Sequence, residues 1–251
     1  MLNVIADLSH FNSPVDFDAA ARGGLLAVVH KATQGLLEVD PTYAERRPQA
    51  QAAGLLWGAY HFGTNDDGAA QARHLLRNVA DYSQVLIMLD FEPVPTAEGT
   101  NMSTAQAEAF AAAILAFTGR YPGLYSTRDY LAQTGADRSS VLAHCWLWLA
   151  DYNAAPPVAP PAWRTWTMWQ YTDGKQGNEP RVVPGIGPCD RDGFNGELAG
   201  LHALWGLPVV APVAPLAPVA PVPVAAALAA PVAIAAVAAP VAAPTVSPAP
   251  A

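Results

Sequence analysis

The sequence is poor in positive charge. Thirteen Lys and Arg residues face 21 Asp and Glu, which gives a formal net charge of -8 at pH 7, and Lys31 and Lys175 are the only lysines. Proteins that bind nucleic acid present a patch or stripe of basic residues to the phosphates, and no such stripe occurs along this chain. We therefore expect no nucleic-acid partner.

Cysteine is also scarce. The chain contains two, Cys145 and Cys189, which is too few for a disulfide scaffold and lacks the CxxC spacing of a zinc site. The two thiols could form a single disulfide, but we favour two free thiols. We expect neither a bound metal nor a cofactor.

The N-terminal residues, MLNVIADLSH, lack a basic n-region, a long apolar segment and a small-residue cleavage site. We therefore expect synthesis in the cytoplasm without a signal peptide.

The last 45 residues lack charge altogether. From Leu207 onward the chain consists mainly of Ala, Pro and Val, and frequent proline opposes both helix and sheet. We predict a disordered or polyproline-II-like tail over residues 207–251. The alternative, a membrane segment over Val224–Ala239, is shorter than the roughly 20 residues that a span needs and contains Pro231. We expect no membrane contact by this tail.

Residues 1–206 alternate between apolar segments of strand length and helical patterns. The predicted strands are Asn3–Ser9, Leu25–Thr33, Leu55–Gly63, Val85–Glu92, Gly123–Thr127, Cys145–Tyr152, Thr165–Thr172 and Cys189–Phe194. The first six are almost continuously apolar, as expected of parallel strands covered on both faces. Ser103 and Gln106 have the spacing of a helix capping box, and Gly119 is a predicted helix end. We predict one α/β domain, a TIM-like (β/α) barrel that becomes irregular after Tyr125.

Acidic residues occur at the ends of these strands, where a parallel barrel places its chemistry. Asp7, Asp90, Glu92 and Asp190 are expected to meet at one mouth. Alternate strand residues share a face, so Asp90 and Glu92 should point inward or to the rim while Phe91 faces the helices. Neighbouring carboxylates raise each other's proton affinity, which suits a general acid. A single such acid would be explained by helix capping or an arginine partner, whereas four favour a functional site.

Aromatic residues near the same strand ends indicate a sugar ligand. Carboxylates beside flat aromatic faces are typical of glycosidases. Many of the aromatics must pack in the core, and we predict that Tyr60, Tyr125 and Trp148 point inward. Gln170 and Tyr171, at the end of the seventh strand, are further candidates for substrate binding.

Eight blocks of the sequence resemble glycoside hydrolase family 25, the Chalaropsis-type lysozymes. They are DLSHFNSPVDF, VVHKATQG, GLLWGAYHF, LDFEP, GLYST, LWLADY, WQYTDG and CDRDGFNG. They follow the family's order over about residues 3–200. The resemblance implies an irregular barrel that cleaves the β-1,4 bond between N-acetylmuramic acid and N-acetylglucosamine in peptidoglycan.

The resemblance also implies roles for the acids. Glu92 of LDFEP matches the general acid and base, and Asp90 matches the residue that assists the substrate's acetamido group as internal nucleophile. Asp7 and Asp190 match two further acids lining the site. The spacing of the pair along one strand does not choose between retention and inversion.

Four other positions compare with the family pattern. Tyr60 and Tyr125 match aromatics that contact the reacting sugar. Gln34 stands where the family usually has Glu, which removes a negative charge, and Asp192 stands where it commonly has Asn, which adds one. The effect of these two departures is left open by the sequence.

Two other functions remain open at this stage. A metal-dependent, phosphodiesterase-like barrel would use the four acids as oxygen ligands. A catalytically inactive wall-binding module would keep the groove without turnover. For the muramidase we expect a monomer, similar to a phage endolysin, that acts on the bacterial wall after phage lysis or non-classical export.

Overall fold

The computed structural model describes residues 1–97 and 99–207. The predicted tail beyond Leu207, with its alternative membrane segment, lies outside the described residues, and the domain division at residue 206 stays a prediction. Within the described ranges, no helix combines the length and the apolar character needed to cross a membrane.

Eight strands of the described chain form a closed barrel. The described chain has eleven strands in all: β1 (Leu2–Leu8), β2 (Ala27–Gln34), β3 (Glu38–Val39), β4 (Leu56–Phe62), β5 (Val85–Asp90), β6 (Gly123–Thr127), β7 (Trp146–Ala150), β8 (Met168–Thr172), β9 (Val182–Val183), β10 (Gly187–Pro188) and β11 (Asp190–Phe194). Around the barrel the order is β1-β2-β4-β5-β6-β7-β8-β11, and β1 closes it by pairing with both β2 and β11. The final strand, β11, is antiparallel to both neighbours. The predicted α/β barrel is confirmed.

The described chain contains six α-helices, and the first five cover the outside of the barrel. They are α1 (Phe17–Arg22), α2 (Tyr43–Ala52), α3 (Gly68–Val79), α4 (Thr104–Thr118), α5 (Arg128–Thr134) and α6 (Leu198–Leu204), with short 3-10 turns at Ala136–Arg138 and Leu142–His144. The predicted capping box of Ser103 and Gln106 begins α4, and Gly119 ends it in the left-handed conformation with φ of 75°. This glycine avoids the steric cost that a Cβ would carry there.

The second half of the barrel is irregular, as the sequence predicts. No α-helix separates β7 from β8 or β8 from β11 in this fully described stretch. A proline-rich segment makes the first connection, and the small β9–β10 hairpin lies within the second. Because β11 returns antiparallel, its first residue, Asp190, lies at the same end of the barrel as the carboxyl ends of the parallel strands.

Alternation along the strands separates two buried layers. Phe91 is fully buried on the outer side, where its ring lies 5.1 Å from that of Tyr130 in α5. The inner layer contains residues such as Met88, Tyr125 and Trp148. Helix α6 closes the bottom of the barrel through residues of this inner layer, with the Trp205 indole N–H donating to the Trp57 carbonyl at 2.9 Å.

Candidate active site

Strand register brings the four predicted acids to one end of the barrel. Asp7 lies opposite Asp190 across β1 and β11, and Asp90 ends β5 beside Tyr125 of β6. Glu92 follows in the loop two residues later, slightly beyond the strand that was predicted to include it. We call this group of Asp7, Asp90, Glu92 and Asp190 the acidic mouth.

Burial and mutual repulsion raise the pKa values of the carboxyls in the acidic mouth. Burial, followed by the charge of Asp190, raises the pKa of Glu92 to about 7. The pKa of Asp90 lies well above its usual value because of burial and then the charge of Glu92. Burial and then Asp173 raise the pKa of Asp190 to about 6. The site can therefore hold protons near neutral pH, as an acid catalyst must.

Two oxygens of the acidic mouth have no hydrogen-bond partner among the described residues. They are Oδ1 of Asp7 and Oδ1 of Asp90, and both residues are only 7% exposed. Leaving a buried polar atom unpaired costs free energy, and such atoms concentrate where a ligand later supplies the missing bond. Both oxygens therefore keep an unused hydrogen-bonding capacity at the acidic mouth.

Gln170 organises the floor of the mouth. Its Oε1 accepts hydrogen bonds from the hydroxyls of Tyr125 at 3.0 Å and Tyr152 at 2.8 Å, while its Nε2 donates to Oδ2 of Asp7 at 3.1 Å. The side chain is 2% exposed. Because both ends of the amide are engaged, Gln170 positions its neighbours instead of offering itself to a sugar. Tyr152 was missing from the predicted site, although its position at the end of the predicted strand Cys145–Tyr152 could have indicated it.

Trp148 points inward, as predicted, but it is buried beneath the site. Its indole N–H donates to Oδ1 of Asp192 at 2.7 Å, and its ring packs edge-on against Tyr125 with centroids 4.6 Å apart. With 1% exposure, the ring offers no face to a ligand. Its expected role as a substrate platform is corrected to support of Tyr125.

Tyr171 lies on the outer face of the sheet and is not part of the candidate site. It is 1% exposed, packs 5.9 Å from the ring of Trp169, and donates its hydroxyl to the carbonyl of Pro180 at 3.0 Å. Successive strand residues point to opposite faces. Gln170 and Tyr171 therefore could not both face the mouth, and the sequence assignment of Tyr171 was wrong.

Tyr60 and Tyr125 belong to the inner face, as predicted. Tyr60 is partly exposed, and Tyr125 lines a cavity together with Glu92. Burial and then the surrounding carboxylates hold the pKa of both phenols well above its usual value. Both hydroxyls therefore remain protonated and can donate hydrogen bonds.

Lys31 places a cation beside the acidic mouth, which sequence reasoning did not anticipate. It pairs in register with Tyr60, and its Nζ lies 5.0 Å from the ring centroid of Phe62, the register partner of Asp90. The ammonium donates to Oε1 of Gln34. Its charge lowers the pKa of both Asp90 and Glu92, opposing the effect of burial.

Asp192 lies inside the barrel below the mouth. It is fully buried, and its Oδ2 has no hydrogen-bond partner among the described residues. Burial holds its pKa well above the usual value, against the hydrogen bond from Trp148. Burial therefore opposes the added negative charge expected at this position.

Cavities lie on both sides of the acidic mouth. One of about 560 Å³ is lined by Glu92, Tyr125, Arg128, Asp151 and Tyr152 among others. Across the mouth, a smaller cavity of about 190 Å³ includes Lys31, Gln34 and Glu38 in its wall. The described residues contain no group of three or more His, Cys, Asp or Glu placed to hold a metal ion. The first cavity is lined by Glu92 itself, and the second by Lys31, whose charge acts on Glu92.

A sequence profile for glycosyl hydrolases family 25 matches residues 6–179. The chain belongs to this family. Lysozyme M1 of Streptomyces globisporus is 30% identical over 213 residues, which cover 79% of this chain and 69% of that protein. The N,O-diacetylmuramidase of Chalaropsis sp is 30% identical over 186 residues, covering 66% of this chain and 86% of that protein.

A solved structure of a family 25 relative has the same architecture. The bacterial lysozyme from Streptomyces coelicolor superposes with a TM-score of 0.72 at 28% identity, over 81% of this chain and 97% of that one. The predicted resemblance is confirmed, and the protein is a glycosidase of the lysozyme type that hydrolyses peptidoglycan. The family assignment favours this chemistry over the metal-dependent phosphodiesterase.

Proposed function

We propose that this family 25 enzyme is a muramidase, cleaving after N-acetylmuramic acid, with Glu92 as its general acid and base. The observation that carries the proposal is the position of Glu92. The carboxyl is partly exposed, lines the 560 Å³ cavity, and has a pKa raised to about 7 by burial and Asp190. It is therefore both accessible to a glycosidic oxygen and protonated in a useful fraction of molecules at neutral pH.

In the first step, protonated Glu92 donates its proton to the glycosidic oxygen as the bond to the anomeric carbon breaks. The acetamido oxygen of the same sugar forms the new bond to that carbon, so the leaving chain departs as an alcohol. In the second step, the Glu92 carboxylate takes a proton from water, whose oxygen attacks the anomeric carbon and releases the acetamido group. Glu92 ends the cycle protonated, as it began.

Asp90 is suited to hold the acetamido group during this attack. It ends β5 at the acidic mouth, where its carboxyl can accept the acetamido N–H. That hydrogen bond becomes stronger as positive charge develops on the nitrogen, so it stabilises the transition state more than the bound substrate. We therefore assign Asp90 the role of orienting the acetamido group, which is the internal nucleophile.

The other groups of the mouth are assigned to the sugar ring. Asp7 and Asp190 lie side by side across β1 and β11, and Asp190, whose pKa is about 6, supplies negative potential at neutral pH where positive charge develops on the ring. Tyr60 can donate its hydroxyl to the sugar, and Tyr125, whose hydroxyl donates to Gln170, can pack against the pyranose. Gln170 fixes the position of Asp7 and Tyr125.

Analysis of the cleavage products tests this proposal. Purified peptidoglycan is incubated with the enzyme, and the sugar at each new reducing end is identified by mass spectrometry after borohydride reduction. Reduced muramic acid is the expected product. Reduced glucosamine would overturn the muramidase assignment, and binding to the wall with no new reducing ends would favour the inactive wall-binding module.

A further inference from the structure

A second large cavity, which we call the distal cavity, adjoins the smaller one on the Lys31 side of the acidic mouth. It has a volume of about 500 Å³ and lies between the β2–β3 turn and the loop that follows β4. Its wall includes Leu36, Leu37, Glu38, Asn65, Asp66 and Thr100. The catalytic steps described above use none of these residues.

The distal cavity adjoins the smaller cavity beside Lys31. Gln34 and Glu38 line both it and the 190 Å³ cavity that includes Lys31. Lys31 in turn acts electrostatically on Asp90 and Glu92. A ligand whose sugar occupies the acidic mouth can therefore extend along this wall into the distal cavity.

We propose that the distal cavity binds the stem peptide of peptidoglycan, with Glu38 and Asp66 receiving the amino group of its diamino acid. The inference rests on the proposed muramidase activity, because muramic acid carries the peptide on its C3 lactyl group. The sugar in the mouth must therefore direct a peptide out of the barrel. An extended peptide advances about 3.3 to 3.6 Å per residue, so two or three residues bring the diamino acid well away from the ring.

The chemistry of the cavity matches a peptide with small apolar residues and one amine. The side chain of Leu37 is 89% exposed and that of Leu36 is 37% exposed, which provides an apolar edge for alanine methyl groups. Glu38 and Asp66 add two carboxylates, and the described residues that line the cavity include no Lys or Arg. These two carboxylates thus attract an ammonium group.

The loop after β4 is held in place before any ligand arrives. The Asn65 amide N–H donates to the carbonyl of Thr100 at 3.0 Å, and Gln106 Nε2 donates to Asn65 Oδ1 at 3.1 Å. Oδ2 of Asp66 accepts the Thr64 hydroxyl at 2.7 Å. Because these bonds fix the wall, binding does not have to order it.

The test compares two substrates, intact peptidoglycan and the same glycan strands stripped of peptide by an amidase. The double variant Glu38→Gln with Asp66→Asn removes both charges and keeps an amide oxygen for the Thr64 hydroxyl. We expect kcat/KM on intact wall to fall about fivefold, the scale of two solvent-exposed ion pairs. On stripped strands it should not change.

The matched control removes two exposed carboxylates elsewhere, Asp18→Asn with Glu45→Gln, and should leave both substrates unaffected. An equal fall on both substrates for the Glu38 and Asp66 variant would overturn the proposal, since it indicates a sugar subsite. An unchanged rate on intact wall would overturn it as well.

Acetylation of the free amines in the intact wall isolates the charge interaction. The fivefold difference between wild type and the double variant should then disappear, and its persistence would contradict the proposed contact.

A synthetic stem tripeptide ending in lysine provides a readout independent of turnover. It should shift the amide NMR signals of Leu37 and Asn65, and no shift at millimolar peptide would overturn the inference. Failure of the enzyme to release muramic acid ends overturns the muramidase assignment instead.

Discussion

Buried ionisable groups on the two faces of the barrel strands differ in their hydrogen bonding and in the direction of their pKa shifts. On the outer face, His61 is fully buried, with one ring nitrogen 2.8 Å from Oγ1 of Thr33 and the other 2.9 Å from Oε1 of Gln71. Burial lowers its pKa to about 3. On the inner face, the acidic mouth keeps carboxyl oxygens without partners among the described residues, and its pKa values rise.

Burial favours the neutral form in both places, but the consequences differ. The histidine has both ring nitrogens engaged and a pKa far from neutrality, so it serves the structure at every ordinary pH. The carboxyls lack some partners and repel one another, which destabilises the fold and brings Glu92 and Asp190 into the range where proton transfer is useful. Buried carboxyls on the inner face that lack hydrogen-bond partners therefore identify the site better than burial alone does.

The substitution Glu92→Gln should have the largest effect on activity. Removal of a general acid and base typically costs 10² to 10⁴ in rate, so we expect about a thousandfold loss of kcat on peptidoglycan. The stability of this variant at alkaline pH should not fall with its activity. The folded pKa of Glu92 is raised from 4.5 to about 7, so its contribution to stability is present below about pH 4.5 and is lost as the pH rises towards 7.

The glutamine variant lacks this loss, and its thermal midpoint at pH 8 should equal or exceed that of the wild type. Reducing-end assays and calorimetry at pH 4 and pH 8 provide the two readouts. A variant that keeps more than a tenth of wild-type activity would exclude Glu92 as the general acid.

The substitution His61→Ala should have the converse effect. It removes a fully buried ring that stacks on Phe110 at 5.3 Å and deprives Gln71 of a partner. We expect a loss of about 3 kcal/mol in the free energy of unfolding, from the cavity and the lost hydrogen bonds to Thr33 and Gln71. The kcat of the folded enzyme should change little. Urea unfolding measures the first quantity, and His202→Ala, on the partly exposed surface of α6, is the control with an expected change below about 0.5 kcal/mol.

If His61→Ala instead abolished turnover while stability held, the division between a structural outer face and a functional inner face would fail.

The sequence predicted the barrel and the acidic mouth because both depend on local pattern. Apolar runs identify strands, and the two-residue period places Asp90 inward and Phe91 outward. The same period should have separated Gln170 from Tyr171, and neglecting it produced the incorrect assignment of Tyr171.

Other features depend on tertiary contacts that no local pattern shows. The inward side of Trp148 follows from alternation, but its burial depends on Tyr125 packing over it. The position of Lys31 follows from pairing between β2 and β4 and from the register shift that comes after it. Its effect on Glu92 therefore became visible only in the folded chain.

The substitution Lys31→Met should have the smallest effect, and it examines the inner face directly. The lysine charge lowers the pKa of Asp90 and Glu92, so its removal should raise both and move the alkaline limb of the pH–rate profile upward. At a fixed pH above 7 the rate should change by a few-fold, since one partly exposed charge is involved.

The comparison between Lys31→Met and Arg22→Met distinguishes a local field from net charge, because Arg22 is an exposed cation at the end of α1. Only the Lys31 variant should shift the profile, and raising the salt concentration should reduce the shift as screening grows. An alkaline limb that stayed in place, or moved to lower pH, would mean that Lys31 does not set the proton affinity of the acidic mouth. The cation would then act on the substrate itself, and KM would change in place of the profile.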